Sequence, residues 1–453
     1  MENKNEYQAE LFSNRLKKKY KELRKWARKN KISCYRLYDK DIPEIPVSLD
    51  VYEFLPENIH NAKQCVEFTQ KQNERIAANA ATVEPETAER RFAVLYLYER
   101  PYKKDAEEEE LWLSKMAEAA ADVLGISAEH IVKKERKPQK GANQYEKKYA
   151  KNIIKGNVQE QDQIFKIDLS TYLDTGLFFD HRPLRAKIRE DAGRKRVLNL
   201  FCYTGSFSVY AANGGASYVE SVDLSNTYLS WAKDNLRLNG FSDTEKYIFT
   251  KADVIEWLEK KSAHIPDDKK FDIIILDPPT FSNSKSTENI LDINRDWPAL
   301  VENCVKMLKS NGTLYFSTNS TKLSFDESKL PKNTECTDET QNSIPKDFQG
   351  TKCHRLWKIR LYKHEGKSLS PGFCHYVPSP HPILQAQTPP ATPAHGIAKK
   401  HILRQVQGKG ICASLFLNFH FYILFLAAEN PECILQAQKF QYFSNLFRLS
   451  HQL

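Results

Sequence analysis

Apolar residues recur at steps of three and four near the start of the chain. Leu11, Phe12, Leu16, Tyr20, Leu23 and Ala27 fall on one face, which predicts an amphipathic helix with a packed side. The opposite side is cationic, from Arg15, Lys17, Lys18 and Lys19 through Arg28 and Lys29 to Lys31. Residues 1–31 therefore read as a basic N-terminal helix. Past residue 31, short apolar runs at 34–38, 47–54, 92–98 and 165–169 predict strands. One helical stretch, 107–124, stops at Gly125. The segment 133–155 is strongly basic and contains Gly141 and Tyr145, a pattern that suits a hairpin or loop. Residues 32–182 thus form a small accessory α/β domain.

From 183 to 361 the rhythm changes. Short apolar strands alternate with amphipathic helices: 196–201 then 206–213, 218–223 then 228–238, and 247–251 then 254–261. A strand at 271–277 follows, and a helix at 298–309 leads to a last strand at 313–317. Such alternation builds a doubly wound, Rossmann-like α/β sheet, whose ligands sit at the carboxyl ends of the strands. Residues 362–453 break the pattern. They are first Pro-rich and then apolar, and predict an irregular, poorly ordered tail that adds nothing to the sheet.

Composition sharpens this picture at three points. No apolar run reaches the roughly 18 residues of a spanning helix; the best candidate, 415–428, contains Asn418 and His420. The first ten residues have no cationic-then-apolar leader, so a soluble cytoplasmic protein is expected. Nine cysteines, with no CxxC pair, suit reduced thiols rather than disulfides or a metal site. The net charge of +9 matters mainly for where it sits. The basic helix is a candidate for contact with a polyanion such as RNA, with plain solubility as the alternative.

Candidate chemistry lies at the strand ends. The first turn reads Asn199-Leu200-Phe201-Cys202-Tyr203-Thr204-Gly205-Ser206-Phe207, and Gly205 would let the backbone approach a ligand. Tyr203 and Phe207 stand where a GxGxxG fingerprint needs glycines, which argues against a nicotinamide dehydrogenase. Asp223, followed by Leu224, ends the second strand where a carboxylate can accept both ribose hydroxyls, or else cap the next helix. Asp253 ends the third strand, as an adenine acceptor or again as a cap. The fourth strand runs into Asp277-Pro278-Pro279-Thr280-Phe281, the most specific string in the chain. Two prolines fix the turn and remove two backbone donors. A carboxylate, proline carbonyls and a stackable ring then face the cleft.

These strings resemble one family. NLFCYTGSFSVYAANGGA, SVDLSNTYLSWAKDNLRLNG and DPPTFSNSK are similar to bacterial large-subunit ribosomal RNA guanine methyltransferases of the RlmK type, which are class I enzymes dependent on S-adenosyl-L-methionine. The likeness runs from about residue 11 to about 360. It includes NRLKKKYKELRKWARKNKISCYRLYDKDIPE, ERKPQKGANQYEK and DLSTYLDTGLFFDHR. It implies that Asp223 holds the ribose and Asp253 lies by the adenine. The turn with Tyr203, Thr204, Gly205 and Phe207 would pass the methionine part, Asn199, Phe201 and Leu224 would also bind the cofactor, and Asp180 and Arg182 would help to close its site. Asp277, Pro278, Pro279 and Phe281 would meet the target base. Arg15, Lys18, Lys19 and Arg28 on the helix, with Lys137, Lys140 and Lys147 on the loop, would contact the backbone of 23S ribosomal RNA.

The chemistry so implied is methylation of guanine N7, whose in-plane lone pair needs no general base. The alternatives are guanine N2, cytosine C5, and a non-catalytic RNA-binding assembly factor. Cytosine-C5 chemistry needs a cysteine nucleophile. Relatives carry it after the fifth strand of this domain, where this chain has Ser317-Thr318-Asn319-Ser320, while Cys202 reads as a packing residue. The chain departs from the family pattern at Thr318–Lys322, where relatives usually read Asn-Asn-Lys-Arg-Gly. The N2-methyltransferase half that precedes this region in bifunctional members is not seen in this sequence, and its activity is not assigned.

Overall fold

The structure, a computed structural model, describes residues 2–78, 83–100, 102, 104–136, 153–282 and 291–362. Lys137, Lys140, Lys147 and the tail beyond 362 lie outside the described residues.

Helix α1 (Glu2–Lys29) buries Phe12, Leu16, Leu23 and Ala27, as its periodicity predicts. It packs on α4 (Ala106–Leu124), where the Trp112 indole N–H donates to Gln8 Oε1 at 2.7 Å. Beneath them lies a four-stranded sheet of β1 (Cys34–Asp39), β2 (Val47–Glu53), β3 (Arg91–Tyr98) and β4 (Ile131–Arg136), in that order. The first three strands are antiparallel and β4 is parallel to β3, across the α4 crossover. Asp105 caps α4 and Gly125 ends it in the left-handed conformation.

Two features here differ from expectation. Helices α2 (Ala62–Ala77) and α3 (Val83–Glu89) intervene between β2 and β3. The stripe of α2 is too thin to read, since Cys65 is its one buried residue. The start of the basic segment is the strand β4 rather than a loop. Lys134 is buried there, with its ammonium donating to the carbonyls of Tyr172 and Leu173. Burial with carbonyl partners thus accounts for a cation that the sequence pattern assigns to solvent.

A hairpin, β5 (Lys155–Glu160) and β6 (Gln163–Asp168), and helix α5 (Arg182–Asp191) lead into a seven-stranded sheet. Its parallel strands are β7 (Arg196–Leu200), β8 (Tyr218–Asp223), β9 (Tyr247–Lys251), β10 (Phe271–Leu276) and β13 (Leu308–Thr318). Strands β14 (Thr334–Asp338) and β15 (Arg355–Leu361) complete it antiparallel, in the order β14-β15-β13-β10-β7-β8-β9. The winding reverses between β7 and β10, and the crevice at such a switch point is where these sheets bind ligands.

Helices α6 (Ser206–Asn213), α7 (Asn226–Leu238), α8 (Val254–Ser262) and α9 (Ile293–Lys306) cover the two faces. The central strands are apolar throughout because both faces are buried. Leu198, Ile274 and Leu314 meet Trp257 and Trp297, whereas Val197, Ile273 and Tyr315 meet Leu184 and Phe207. Residues Met1–Leu369 make one compact unit, and a second, Ser370–Leu453, lies outside the described residues. Among the described residues no helix is long and apolar enough to cross a membrane.

Candidate active site

The turn after β7 is conformationally strained. Phe201 and Tyr203 adopt φ of 54° and 50°, unusual for bulky residues, and Gly205 follows at 74°. Strain of this kind persists only when surroundings fix it. Here the Tyr203 amide donates to Asp223 Oδ2 at 3.0 Å and the Thr204 hydroxyl donates to the Gly176 carbonyl at 2.6 Å. Gly205 is needed for packing as much as for any ligand, since a Cβ there would lie 2.7 Å from that of Ala232 on α7. Gly176, at φ 110°, has the same role in the strap 174–180, where a Cβ would strike the Trp231 ring at 2.3 Å.

Asn199 and Phe207 are placed under this turn rather than at its surface. Asn199 Nδ2 donates to Ser208 Oγ at 2.9 Å, and Ser208 shares a 2.7 Å hydrogen bond with Ser221. Phe207 is buried in the core beside the His181 ring. Both support the turn from below. Phe201, Tyr203 and Leu224 are half-buried and so reach the surface.

Asp223 is freed from helix capping because Ser225 caps α7 instead. Its carboxylate accepts from the amides of Tyr203 (3.0 Å) and Ser225 (2.8 Å), one per oxygen. Among the described residues it has no ion-pair partner. Burial raises its pKa, and the backbone hydrogen bonds only partly offset this. A half-buried carboxylate with spare lone pairs suits the two hydroxyls of a ribose. Asp253 does cap its helix, accepting from the Ile255 and Glu256 amides at Oδ1.

At the end of β10, Asp277 is held on both oxygens. Ser317 Oγ donates to Oδ1 at 2.7 Å, and His181 Nε2 lies 3.2 Å from Oδ2. Its side chain keeps 25% of its surface exposed. Burial opposes its ionisation, but His181 and the hydrogen bonds from His181 and Ser317 outweigh that and hold the carboxyl below the usual range. Pro278 is buried, and Phe281, at the start of β11 (Phe281–Ser282), leaves 56% of its surface free. The departure after β13 is built into the same wall: Thr280 Oγ1 donates to Asn319 Oδ1 at 2.5 Å, and Ser320 Oγ donates to Asn294 Oδ1 at 2.8 Å.

His181, His354 and Ser317 have no role in the sequence reading of this site. His181 stacks on His354 at 4.6 Å, and His354 Nδ1 lies 3.0 Å from Asp180 Oδ2. Burial disfavours the charged form of His181, yet Asp277 and Asp180 raise its pKa to about 9. Asp180 is held well below its ordinary range against burial, by His181 and His354. The signal for His181 was adjacency to Asp180 in the string FDHR; nothing local marks His354, 174 residues away from Asp180. Asp180, Cys353 and His354 also present O, S and N atoms within 4.8 Å. Both ring nitrogens of His354 are already engaged, Nδ1 by Asp180 and Nε2 by Ser343, which leaves none for a metal ion.

The His181 charge has a definite pH signature. Its folded pKa lies above the ordinary 6.5, so its contribution is full below about 6.5 and is lost as pH rises through about 9. Thermal melting of the wild type is expected to fall between about pH 7 and pH 10, and His181→Asn should flatten that limb. An unchanged alkaline limb in the variant would refute the pairing.

Arg182 is engaged by protein groups. Its guanidinium donates to Glu160 Oε2 (2.8 Å), Asp347 Oδ1 (2.9 Å) and the Cys34 carbonyl (3.0 Å), fully buried between the small sheet and α5. Arg15 and Lys19 both pair with Asp41, at 2.7 and 2.8 Å. Lys18 and Arg28 are exposed.

The comparisons with known proteins bear on the same residues. A family model described as S-adenosylmethionine-dependent methyltransferase matches residues 86–330. Ribosomal RNA large subunit methyltransferase K of Neisseria meningitidis is 42% identical over 351 residues, 77% of this chain and 86% of that protein. The chain is an S-adenosylmethionine-dependent methyltransferase of this large-subunit methyltransferase K family. Methyltransferase K/L of Marinobacter nauticus is 40% identical over 361 residues, and that of Magnetococcus marinus 38% over 353. The match covers 79% and 78% of this chain but only 43% of each of those longer proteins. Two solved structures share the fold. A methyltransferase complexed with SAH has a TM-score of 0.56 at 19% identity, covering 78% of this chain and 82% of that one. A SAM-dependent methyltransferase from Streptococcus mutans has a TM-score of 0.54 at 18% identity, covering 78% and 81%.

As in its family, the cofactor is S-adenosylmethionine, whose sulfonium supplies the methyl group. Cys202 is buried, and burial pushes its thiol far above the ordinary range, which disfavours the nucleophilic thiolate.

Proposed function

We propose that this methyltransferase acts in the cytoplasm on a guanine of 23S ribosomal RNA and forms 7-methylguanine. The observation that carries the reading is Asp277, a fixed carboxylate engaged on both oxygens beside an exposed ring, Phe281. A carboxylate held by His181 and Ser317 is a poor proton acceptor. N7 attack has no proton to remove, and its product ring is cationic, so a fixed negative charge stabilises it. The names of the K and K/L relatives supply the substrate class.

In this reading the backbone of the strained turn and the Asp223 carboxylate orient the cofactor, with Asp253 and Asp180 flanking it. Pro278 and Pro279 shape the base site, Asp277 and Phe281 orient the guanine, and the reacting atoms are aligned at near-attack distance. The test is mass mapping of methylated guanines in 23S RNA from cells with and without the gene, followed by transfer of labelled methyl by purified protein. A methyl at N2, or binding of S-adenosylmethionine without transfer, would overturn it.

Of the helix cations suggested for RNA contact, Lys18 and Arg28 are exposed, and further exposed lysines extend that face. Arg15 and Lys19 are tied to Asp41, whereas Lys17, Lys21, Lys25 and Lys29 are exposed at four-residue spacing, one ridge along α1. Each phosphate contact contributes about 0.7 to the slope of log K against log salt on single-stranded RNA. Replacing all four lysines by Gln is expected to weaken RNA binding and lower that slope by roughly 2–3. An unaltered slope would make the ridge a plain solubility face.

A further inference from the structure

A cleft of about 630 Å³ opens between the small sheet and the methyltransferase sheet. Tyr98 and Arg136 stand on one wall, Tyr203 and Asn319 on the other, and the strap 174–180 forms its floor. The volume lies within the ordinary 300–1,000 Å³ of small-ligand sites. The cleft adjoins the target turn, because Asn319 accepts the hydrogen bond from Thr280 of the Asp-Pro-Pro-Thr-Phe string.

Its chemistry is that of a nucleobase site rather than a phosphate groove. Three of the four cations along it are paired: Arg36 with Asp50 and Asp39, Arg136 with Asp174, and Lys40 with Asp39, while Lys352 is exposed. The same cations lie over the rings of Tyr98, Tyr96 and Phe348, which leaves Phe178 as the open ring. Phe178 leaves 42% of its surface exposed, and its ring sits 5.1 Å from that of Tyr203, continuing an aromatic step toward the turn. The walls are fixed relative to each other, since Arg182 joins Glu160, Asp347 and the Cys34 carbonyl across them. The cleft is therefore preformed, as suits a planar uncharged ring.

We infer that this cleft holds the nucleobase next in the chain to the one that is methylated. The inference rests on the ribosomal RNA reading above. Enzymes that extrude a base also contact the nucleotides flanking it, and an aromatic platform beside the reaction site would hold one of these. Phe178 on the floor is the stacking residue.

The test uses the full chain, S-adenosylmethionine and a 23S RNA fragment spanning the mapped guanine, intact or with an abasic residue on one side. Stacking of one base is worth about 5- to 100-fold by side-chain truncation. One of the two abasic fragments is expected to lower kcat/KM by that factor with the wild type. Phe178→Ala should lose the same factor on intact RNA and almost nothing further on that abasic fragment, with cofactor affinity unchanged. The abasic measurement on the wild type stands even if the variant folds poorly. Full losses from both changes, no loss from either abasic residue, or weakened cofactor binding in Phe178→Ala would overturn the inference. The last of these would give the cleft to the cofactor's methionine end. A wild type that methylates no intact RNA would overturn the substrate reading itself, which is a separate outcome.

Discussion

Asp277→Asn is expected to lower methyl transfer by about 10²–10³-fold while leaving the dissociation constant of S-adenosylmethionine within about threefold of wild type. Asparagine keeps the shape and can still accept from Ser317, but it removes the charge that His181 faces and that a cationic product ring would need. Asp277→Ala should be worse, because it also leaves the His181 imidazolium buried without its partner, and a buried unpaired charge is strongly unfavourable. Cofactor affinity separates the two causes of inactivity. Asp223, not Asp277, has the spare acceptor capacity at the second strand end. Single-turnover rates with isothermal titration of S-adenosylmethionine would measure both quantities. Turnover near the wild-type rate would remove Asp277 from the chemistry. Loss of cofactor binding in parallel with rate would move it to the cofactor.

The parts of this arrangement that were legible in the sequence share one physical property: they are local. The strand-helix alternation comes from apolar runs buried on both faces, and the termini of β7, β8 and β10 fell where the pattern changed. Asp277-Pro278-Pro279 was readable because two prolines constrain the backbone wherever they occur. What stayed hidden depends on contacts between distant segments. Strands β14 and β15 carry mixed polar sequences such as Thr334-Glu335-Cys336-Thr337-Asp338, and pair only because β13 offers an edge. Helix α9 starts at Ile293, five residues before Pro298, because Asp292 caps it and the proline is tolerated inside. His354 reaches Asp180 across 174 positions. Asp180 and Arg182 stand two residues apart in one string, yet Asp180 meets His354 whereas Arg182, the first residue of α5, meets Glu160 and Asp347.

Those Arg182 contacts set up the second large effect, on stability. Glu160 is fully buried and accepts from Arg182 (2.8 Å), from Arg185 at both of its oxygens, and from the Tyr210 hydroxyl (2.9 Å). Burial opposes its charge, but the two guanidiniums overcome that and keep its pKa below the ordinary value. Asp347 has less support. Burial raises its pKa despite Arg182, and its other contact is the Arg36 amide at 3.1 Å. Arg182→Ala would leave that carboxylate with the Arg36 amide alone and take the guanidinium from the Cys34 carbonyl, in a site joining β1, β5, α5 and the segment before β15. Breaking a buried pair on one side costs about 3–5 kcal/mol. The melting temperature is expected to fall by about 4–7 °C, and Arg182→Lys should recover little of it, because an ammonium cannot reproduce three donors in a planar fork. Cofactor affinity of the folded fraction should stay within a few-fold. A variant that melts with the wild type but loses S-adenosylmethionine would return Arg182 to the cofactor site. The loss of melting temperature without loss of affinity would instead show that the charges nearest the cofactor string hold the two sheets together, and thereby keep the cleft between them open.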